Sequence, residues 1–319
     1  MTEIVDRVKK LNFQPLFGLS SKHLQMIVSA YIPTGKAPPS TQWFVDIGKG
    51  DRLSCEVSTP LSWKKHNKTV ALIHGLGGSH TSRYMVRMAR KLYENGKKVV
   101  RINLRGCGSG KGLSKLPYNA GNSEDLLKVL QALKQASPDS EIIVIGFSLG
   151  GNTALKLAGE LGPGAENLVK TFIAVCPPLD LEQTVLSIQQ RKYFLYHQYY
   201  LKNMFKQASS WVTQKLYSIY EFDDKITGPL WGFSGAQDYY QSCSCKHFLD
   251  KIRVTSHLIC AEDDPFVPIN ALKDIAISNH VQLWTTEHGS HLGFLGRTNQ
   301  AWKFQWIDHL LLDWVDEKF

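Results

Sequence analysis

An alternation of two sequence patterns, which begins near residue 69, constrains the fold of this chain more than any other feature. Short runs rich in Val, Ile and Leu are separated by stretches whose apolar residues recur with the period of a helix. The strand-like runs are 69–73, 98–102, 141–146, 171–176, 254–260 and 281–285; the helix-like stretches are 81–94, 123–135, 152–159 and 298–316; and two antiparallel strands are predicted near 43–47 and 53–57. Strands that alternate with helices predict an α/β fold, with a mostly parallel central sheet flanked by helices.

Two regions interrupt this alternation and divide the chain. Residues 1–60 carry Pro-rich loops, and we interpret them as an N-terminal arm with the first antiparallel strands of the domain. Residues 61–177 and 251–319 form the predicted α/β core. Residues 178–250 have no strong strand pattern and are rich in aromatic side chains, so we interpret them as a helical cap. Because a cap presents an apolar underside to the sheet, some of these rings are expected to face a pocket.

Composition and charge exclude several classes of protein. The 319 residues are 43% apolar and 20% charged, which is typical of a globular chain and excludes a disordered or fibrous one. No run approaches the roughly 18 apolar residues of a membrane span, and acidic residues near the N-terminus argue against a signal peptide. We therefore expect a cytoplasmic protein. The net charge of +9 comes from dispersed basic residues, which predicts no nucleic-acid partner but allows weak peripheral contact with an anionic membrane.

The six cysteines do not predict a disulfide framework or a metal site. None belongs to a Cys-x-x-Cys pair, and in a chain of this length they are expected to be reduced thiols. Cys243 and Cys245 have no second pair of ligands nearby, which makes them a weak candidate for metal binding. We expect neither a metal nor a cofactor.

The strongest chemical signal is the segment Gly146-Phe147-Ser148-Leu149-Gly150-Gly151. It fits the pattern Gly-x-Ser-x-Gly, and it lies between a predicted buried strand and a predicted helix. This context predicts a nucleophile elbow, a tight turn that exposes Ser148 above the carboxyl edge of the sheet. Small residues at 146 and 150 are needed because the turn brings the backbones of the strand and the helix close together.

A serine hydroxyl is a weak nucleophile at neutral pH, so Ser148 needs a base and a carboxylate that orients the base. In enzymes built on this turn the acid and then the histidine follow the serine along the chain. Asp263 and Asp264 both follow a predicted strand, and we prefer Asp264 because it stands three residues before a Val-Pro pair. His288 and His291 both follow the last strand, and we favour His291 because it lies further past the strand end.

The tetrahedral intermediate of such a reaction requires backbone donors for its oxyanion. One donor is expected to be the N–H of Leu149, the residue after the nucleophile. The second is expected in the loop His74-Gly75-Leu76-Gly77-Gly78, where we choose the N–H of Leu76. We expect His74 to order this loop without taking part in proton transfer.

The chain resembles the YheT-like branch, family 4, of the α/β hydrolases. The segments that carry the resemblance occur in one order and are 103–108 (NLRGCG), 118–126 (YNAGNSEDL), 146–152 (GFSLGGN), 263–266 (DDPF) and 288–294 (HGSHLGF), together with His23-Leu24-Gln25. Met26 and Ser290 depart from the usual pattern of the branch. The resemblance covers about residues 12–317 and implies an α/β-hydrolase fold with a triad of Ser148, Asp264 and His291.

These observations predict a serine hydrolase that cleaves carboxylic esters or lipids with apolar or fatty acyl groups through an acyl-enzyme. A thioesterase or an acyltransferase would use the same triad, because the acyl-enzyme step is common to all three. From a different class, a non-catalytic protein that binds a ligand on a hydrolase scaffold is the remaining alternative.

Overall fold

A computed structural model of the chain describes residues 8–208, 210–212, 214–272, 275–298 and 304–318. Within this part of the chain nine strands form a single sheet. The strands are β1 (Val8–Lys10), β2 (Thr41–Gly48), β3 (Asp51–Ser58), β4 (Thr69–Ile73), β5 (Lys98–Ile102), β6 (Ile142–Phe147), β7 (Thr171–Val175), β8 (Ser256–Ala261) and β9 (Val281–Thr286).

The strands lie in the order β1-β9-β8-β7-β6-β4-β5-β3-β2. All neighbours pair in parallel except β2 with β3 and β3 with β5, which are antiparallel. The central strand β6 is buried along its whole length, as expected from a run of Ile and Val without polar alternation. Because the strands from β6 to β9 pair in parallel, the carboxyl ends of β6, β8 and β9 lie at one edge of the sheet.

Helices cover both faces of this sheet. The longer ones are α1 (Lys22–Tyr31), α2 (Arg83–Glu94), α3 (Ser123–Ala136), α4 (Leu149–Leu161), α5 (Leu181–Ile188), α6 (Phe194–Gln207), α9 (Ala236–Cys243) and α10 (Trp306–Val315); two short ones are α7 (Ile219–Phe222) and α8 (Gly228–Leu230). One apolar cluster joins α3 and α4 to the sheet, and a second joins α2 and α10 to its other face. Alternate residues of each central strand contribute to the two clusters: Val70 and Leu72 belong to one and Ala71 and Ile73 to the other.

The described residues between 178 and 250 contain helices and turns and no strand. They include α5 to α9 and a π-helical turn at Asp223–Thr227. Their apolar side chains form a third cluster, which also takes in Leu149 and Phe266 from the edge of the sheet. This helical segment therefore lies against the carboxyl end of the sheet, on the side where the predicted nucleophile is placed.

The structure differs from the sequence-based expectation at both ends of the chain. The sequence pattern predicted that the last helix starts near residue 298. In the structure the described helix begins at Trp306, and residues 299–303 lie outside the described chain. Residue 305 forms a β-bridge with Leu295, and the described helix begins directly after it. The arm also contains β1 and α1, neither of which was predicted. Within the described residues no helix is long and apolar enough to cross a membrane.

Candidate active site

Ser148 lies in a tight turn between β6 and α4. Its backbone has a φ of 51° and a ψ of −120°, a region that non-glycine residues rarely adopt. The turn tolerates no side chain at its two glycines, since a Cβ atom on Gly146 would stand 2.3 Å from the Gly150 oxygen and one on Gly150 would stand 2.6 Å from the Ile73 oxygen. The N–H of Ser148 donates to the Val175 oxygen over 2.8 Å, which ties the turn to β7.

Asp264 and His291 meet Ser148 at this edge. The Nδ1 atom of His291 lies 2.8 Å from Oδ2 of Asp264, and its Nε2 atom lies 2.9 Å from the Ser148 Oγ. An ionised carboxylate only accepts hydrogen bonds, so Nδ1 carries the proton and Nε2 is free to accept from the serine hydroxyl. The other carboxylate oxygen of Asp264 accepts the N–H groups of Phe266 and Val267 over 2.8 and 3.0 Å. These two bonds hold the carboxylate in the orientation that the histidine requires.

The two rival candidates have other contacts. Asp263 accepts the N–H of Ser290 over 2.7 Å, so it holds the loop that carries His291. His288 is partly exposed, and its ring nitrogens lie 3.7 Å from Asp263 and 3.8 Å from Glu287. The structure thus brings Asp264 and His291 to the serine, and it places Asp263 and His288 beside them in supporting positions.

The loop after β4 passes close to the nucleophile. A Cβ atom on Gly75 would stand 3.0 Å from that of Ser148, so a larger residue would push the loop and the serine apart. The N–H of Gly75 donates to the Tyr84 hydroxyl over 2.9 Å, and the N–H of Gly77 donates to the Tyr118 hydroxyl over 3.1 Å. Along the loop, the N–H of Leu76 lies between those of Gly75 and Gly77, each of which already donates to a tyrosine hydroxyl.

Leu149 is the first residue of α4, and N–H groups in the first turn of a helix have no carbonyl partner within the helix. The positive end of the helix dipole reinforces this position as a place for negative charge. Leu76 and Leu149 both line the cavity beside Ser148, and they stay the predicted donors to its oxyanion.

His74 is fully buried under the same loop. Its Nδ1 lies 2.8 Å from the Gly75 oxygen, and its Nε2 accepts the N–H of Leu104 over 3.2 Å. Burial lowers the pKa of His74 to about 4, so the ring is neutral at neutral pH. A neutral ring engaged at both nitrogens has no proton to exchange with a substrate, and the contacts indicate that it orders the loop.

Gln25 on α1 holds the segment that follows His291. Its Nε2 donates to the oxygens of Leu19 and Leu295 over 2.8 and 2.9 Å, and its Oε1 accepts the N–H of Leu295 over 2.7 Å. The side chain is fully buried. The N-terminal arm thereby holds the histidine loop in place. In this loop Ser290 and Leu292 have positive φ angles of 55° and 63°, which non-glycine residues rarely adopt.

Ser148 and His291 lie where two cavities meet. One is a cavity of about 90 Å³, and its mostly apolar wall includes Leu149, Leu181, Val185, Phe222 and Phe266. The other is an open groove of about 940 Å³ between α1, the Gly75–Gly78 loop and the start of α6. Both are lined by Leu76, Ser148, Tyr200 and His291. The arrangement places a small, mostly apolar cavity and a wider groove that leads to solvent next to the serine.

The described part of the chain holds no group of three or more His, Cys, Asp or Glu side chains placed to bind a metal ion. Cys243 and Cys245 are both buried. Burial raises the pKa of Cys243 to about 12, which keeps this thiol protonated and makes it a poor metal ligand at neutral pH.

Sequence reasoning missed three residues that support the site: Tyr84, Tyr118 and Gln25. Tyr118 and Gln25 stand in segments that carry the family resemblance, but no residue pattern assigns a hydroxyl or an amide to a loop so distant along the chain. For Tyr84 the sequence offers no signal beyond its place near the start of a helix.

Comparison with known proteins identifies the family. A family model described as "alpha/beta hydrolase fold" matches residues 68–227, which is half of the chain. The chain belongs to the α/β-hydrolase fold family. It is 28% identical to the Escherichia coli protein named "Putative esterase YheT" over 95% of this chain and 92% of that one, which confirms the predicted YheT-like branch.

Two other relatives are longer than this chain. "Medium-chain fatty acid ethyl ester synthase/esterase 2" of Saccharomyces cerevisiae is 28% identical over 73% of this chain and 59% of its own length. Human "Phospholipase ABHD3" is 27% identical over 71% of this chain and 58% of its own length.

Solved structures agree on the fold. The esterase Pf2001 of Pyrococcus furiosus has a TM-score of 0.59 at 18% identity, with 88% of each chain covered. The 2,6-dihydroxy-pseudo-oxynicotine hydrolase has a TM-score of 0.62 at 16% identity, with 93% of this chain and 72% of that one covered. At such low identity these structures support the α/β-hydrolase fold alone.

Proposed function

We propose that this protein is a serine hydrolase that cleaves carboxylic esters of apolar acyl groups. One observation carries the proposal: a continuous hydrogen-bonded chain from Asp264 through His291 to Ser148 at the mouth of an apolar cavity. The names of its relatives, an esterase, an ethyl ester synthase/esterase and a phospholipase, support ester hydrolysis as the general activity.

The proposed reaction assigns one role to each group of the site. The Ser148 Oγ attacks the ester carbonyl while His291 takes its proton at Nε2, and Asp264 stabilises the resulting imidazolium. The N–H groups of Leu76 and Leu149 stabilise the oxyanion of the tetrahedral intermediate. His291 then gives its proton to the leaving alcohol, and a water molecule activated by the same ring hydrolyses the acyl-enzyme.

The two cavities suggest where the halves of the ester lie. We assign the acyl chain to the smaller cavity because its wall is mostly apolar, and the alcohol to the wider groove because the alcohol must leave. An engineered cavity of about 150 Å³ holds benzene, so a cavity of about 90 Å³ accommodates roughly four acyl carbons. We propose that residues 178–250 act as the cap of this site, and that longer acyl chains require this cap to yield.

The yeast relative's name includes ester synthesis, and the open groove has room for an alcohol acceptor. Acyl transfer to an alcohol is therefore the second candidate, since the same acyl-enzyme can react with an alcohol in place of water. Product analysis in the presence of added ethanol separates the two: an acyltransferase forms the ethyl ester as its main product, and a hydrolase forms the free acid.

Labelling with a fluorophosphonate probe, combined with a series of p-nitrophenyl esters from acetate to palmitate, tests the proposal. We expect the wild-type chain to be labelled and to turn over short esters fastest, and Ser148→Ala to lose both properties. A wild-type chain that is neither labelled nor active would support the alternative of a non-catalytic binding protein. A Ser148→Ala variant as active as wild type would refute the assignment of the nucleophile.

The base is tested by a matched pair of substitutions on one loop. His291→Asn should lower kcat by at least about a thousandfold, because it removes the proton acceptor of the serine. His288→Asn should retain most of the activity, because its ring contacts carboxylates of the loop and not the serine. The reverse order of effects would assign the base to His288.

We further propose that the protein makes weak peripheral contact with anionic membranes. The net charge of +9 supports this contact, as does the lipid substrate implied by the name of the human relative.

A further inference from the structure

The open groove that leads from Ser148 to solvent is lined by cations and by no carboxylate among the described residues. Arg83, Arg87, Arg191 and Lys192 all contribute to its wall. Only Arg87 is neutralised, by a buried ion pair with Asp308 over 2.6 Å. The path to the nucleophile is therefore electropositive.

The other cations at the mouth of this groove have no carboxylate within ion-pair distance in the described chain. Arg83 donates to the main-chain oxygens of Tyr31 and Ile32 over 3.4 and 3.3 Å. Lys22 donates to the Tyr193 hydroxyl over 3.2 Å, and the Lys192 ammonium lies 5.0 Å from the centre of the same ring. These partners are all uncharged, so the contacts leave the charges of the cations uncompensated.

Large apolar side chains stand exposed between these cations. Leu195 is 80% exposed and Tyr31 is 74% exposed, and Phe194, Tyr199 and Ile27 are also exposed. They come from two facing elements, α1 and the first turns of α6, and all five line the groove. We call the following eight residues of the groove wall the basic rim: Ile27, Tyr31, Arg83, Arg191, Lys192, Phe194, Leu195 and Tyr199.

We propose that the basic rim docks on an anionic lipid bilayer and so opens the groove toward lipid esters. The proposal rests on the proposed function in one respect, because it assumes that lipid esters are substrates of Ser148. It goes further by assigning the membrane contact to one face of the molecule.

The composition of the rim favours a bilayer over two other occupants. A soluble anion would use the cations but would leave Leu195 and Phe194 in water, whereas a bilayer receives apolar and aromatic side chains at the level of its headgroups. A second copy of the chain would set uncompensated cations against identical cations, and like charges in contact disfavour association. Anionic headgroups above an apolar interior complement both properties of the rim.

Vesicle sedimentation with the full-length Ser148→Ala variant tests the proposal without hydrolysis of the lipid. We expect binding to phosphatidylcholine vesicles that contain about 30% phosphatidylglycerol, weaker binding to pure phosphatidylcholine, and loss of the difference in about 0.5 M salt. Adding Arg191→Glu and Lys192→Glu should lower the partition coefficient at least about twenty-five-fold, since each basic residue near an anionic surface contributes roughly a factor of five.

Lys64 and Lys65 provide the matched control. They form an exposed basic doublet shortly before β4 begins, at the edge of the sheet opposite to Ser148. The double substitution to glutamate changes the net charge by the same amount, and we expect it to lower binding only slightly. Equal loss from the two pairs would overturn the assignment of the rim, because it would show a response to net charge alone.

Two further results would overturn the proposal. One is equal binding to neutral and anionic vesicles. The other is a dimer in solution that Leu195→Asn dissociates, which would make the rim an interface between copies of the chain. Turnover of soluble p-nitrophenyl esters by the wild-type chain tests the proposed function separately. Vesicle binding without such turnover would leave the docking face standing while refuting catalysis.

Discussion

Removing the hydroxyl of Tyr118 tests whether the loop beside the nucleophile is held in place to stabilise an oxyanion. The Tyr118 hydroxyl accepts the N–H of Gly77, and that of Tyr84 accepts the N–H of Gly75. Both phenols stay protonated at neutral pH, because burial raises the pKa of Tyr84 to about 12 and raises that of Tyr118 well above its usual value. The substitution Tyr118→Phe deletes one acceptor and keeps the ring that lines the cavity.

The expected size of the effect lies between two limits. A neutral hydrogen bond contributes about 1 kcal/mol, which corresponds to roughly a fivefold change in kcat if its loss lets the loop shift. Complete loss of one oxyanion donor would cost about 3 to 4 kcal/mol, or a few hundredfold. Tyr118→Phe should therefore lower kcat about five- to tenfold, and its combination with Tyr84→Phe should approach a hundredfold. KM should change little, because the oxyanion exists only after attack.

Tyr239→Phe is the control for this experiment. The Tyr239 hydroxyl accepts the N–H of Ala120 over 2.8 Å and the residue lines the same cavity, so its hydrogen bond lies outside the Gly75–Gly78 loop. We expect this variant to lose stability comparable to that of Tyr118→Phe while keeping kcat, measured with p-nitrophenyl butyrate. A kcat for Tyr118→Phe equal to that of the control would refute the role of the hydroxyl in holding Leu76.

Three further outcomes are expected. In steady-state kinetics, Asp264→Asn should lower kcat at least about a thousandfold. Asp263→Asn loses only a contact to the histidine loop and should lower kcat about tenfold or less. Comparable losses of kcat in the two variants would contradict the assignment of the acid. Burial raises the pKa of Asp223 from 3.8 to about 6, so the native state binds this proton more tightly than the unfolded chain, and stability should fall as the pH rises from about 4 to 6. Asp223→Asn should then be more stable than wild type at pH 8, by up to about 3 kcal/mol in urea denaturation, and no gain would argue against an ionised buried carboxylate. Asp308→Ala should cost about 3 to 5 kcal/mol in the same assay because it leaves Arg87 buried without its partner, and a loss under 1 kcal/mol would show that water reaches the guanidinium.

The central part of the fold could be predicted from the sequence because its signals are local. The Ile-Val run before Gly146 indicates a strand buried on both faces, and the glycines at 146 and 150 indicate a turn that leaves no room for side chains. The positions of Asp264 and His291 follow from the same logic, since residues at the carboxyl ends of parallel strands meet at one edge.

Contacts between distant parts of the chain could not be predicted in this way. Gln25 bonds to Leu295 across 270 positions, and Tyr118 bonds to Gly77 across 41, and neither leaves a mark on local periodicity. The described part of the last helix begins at Trp306 for a related reason: residue 305 pairs with Leu295 in a β-bridge, a contact that local periodicity does not register. Periodicity reports burial, whereas these residues owe their roles to the neighbours that the fold brings to them.

The hold of Gln25 on the segment after His291 affects the order in which the protein becomes competent during synthesis. A nascent chain that has emerged as far as the serine and the aspartate already possesses most of its sheet, yet its proton acceptor is still missing. When the segment that carries His291 is synthesised, its loop packs on α1, a helix that was synthesised much earlier. A proteolytic cut within residues 32–40, between α1 and β2, should consequently lower turnover, because Gln25 then stays on the histidine loop only through its non-covalent contacts.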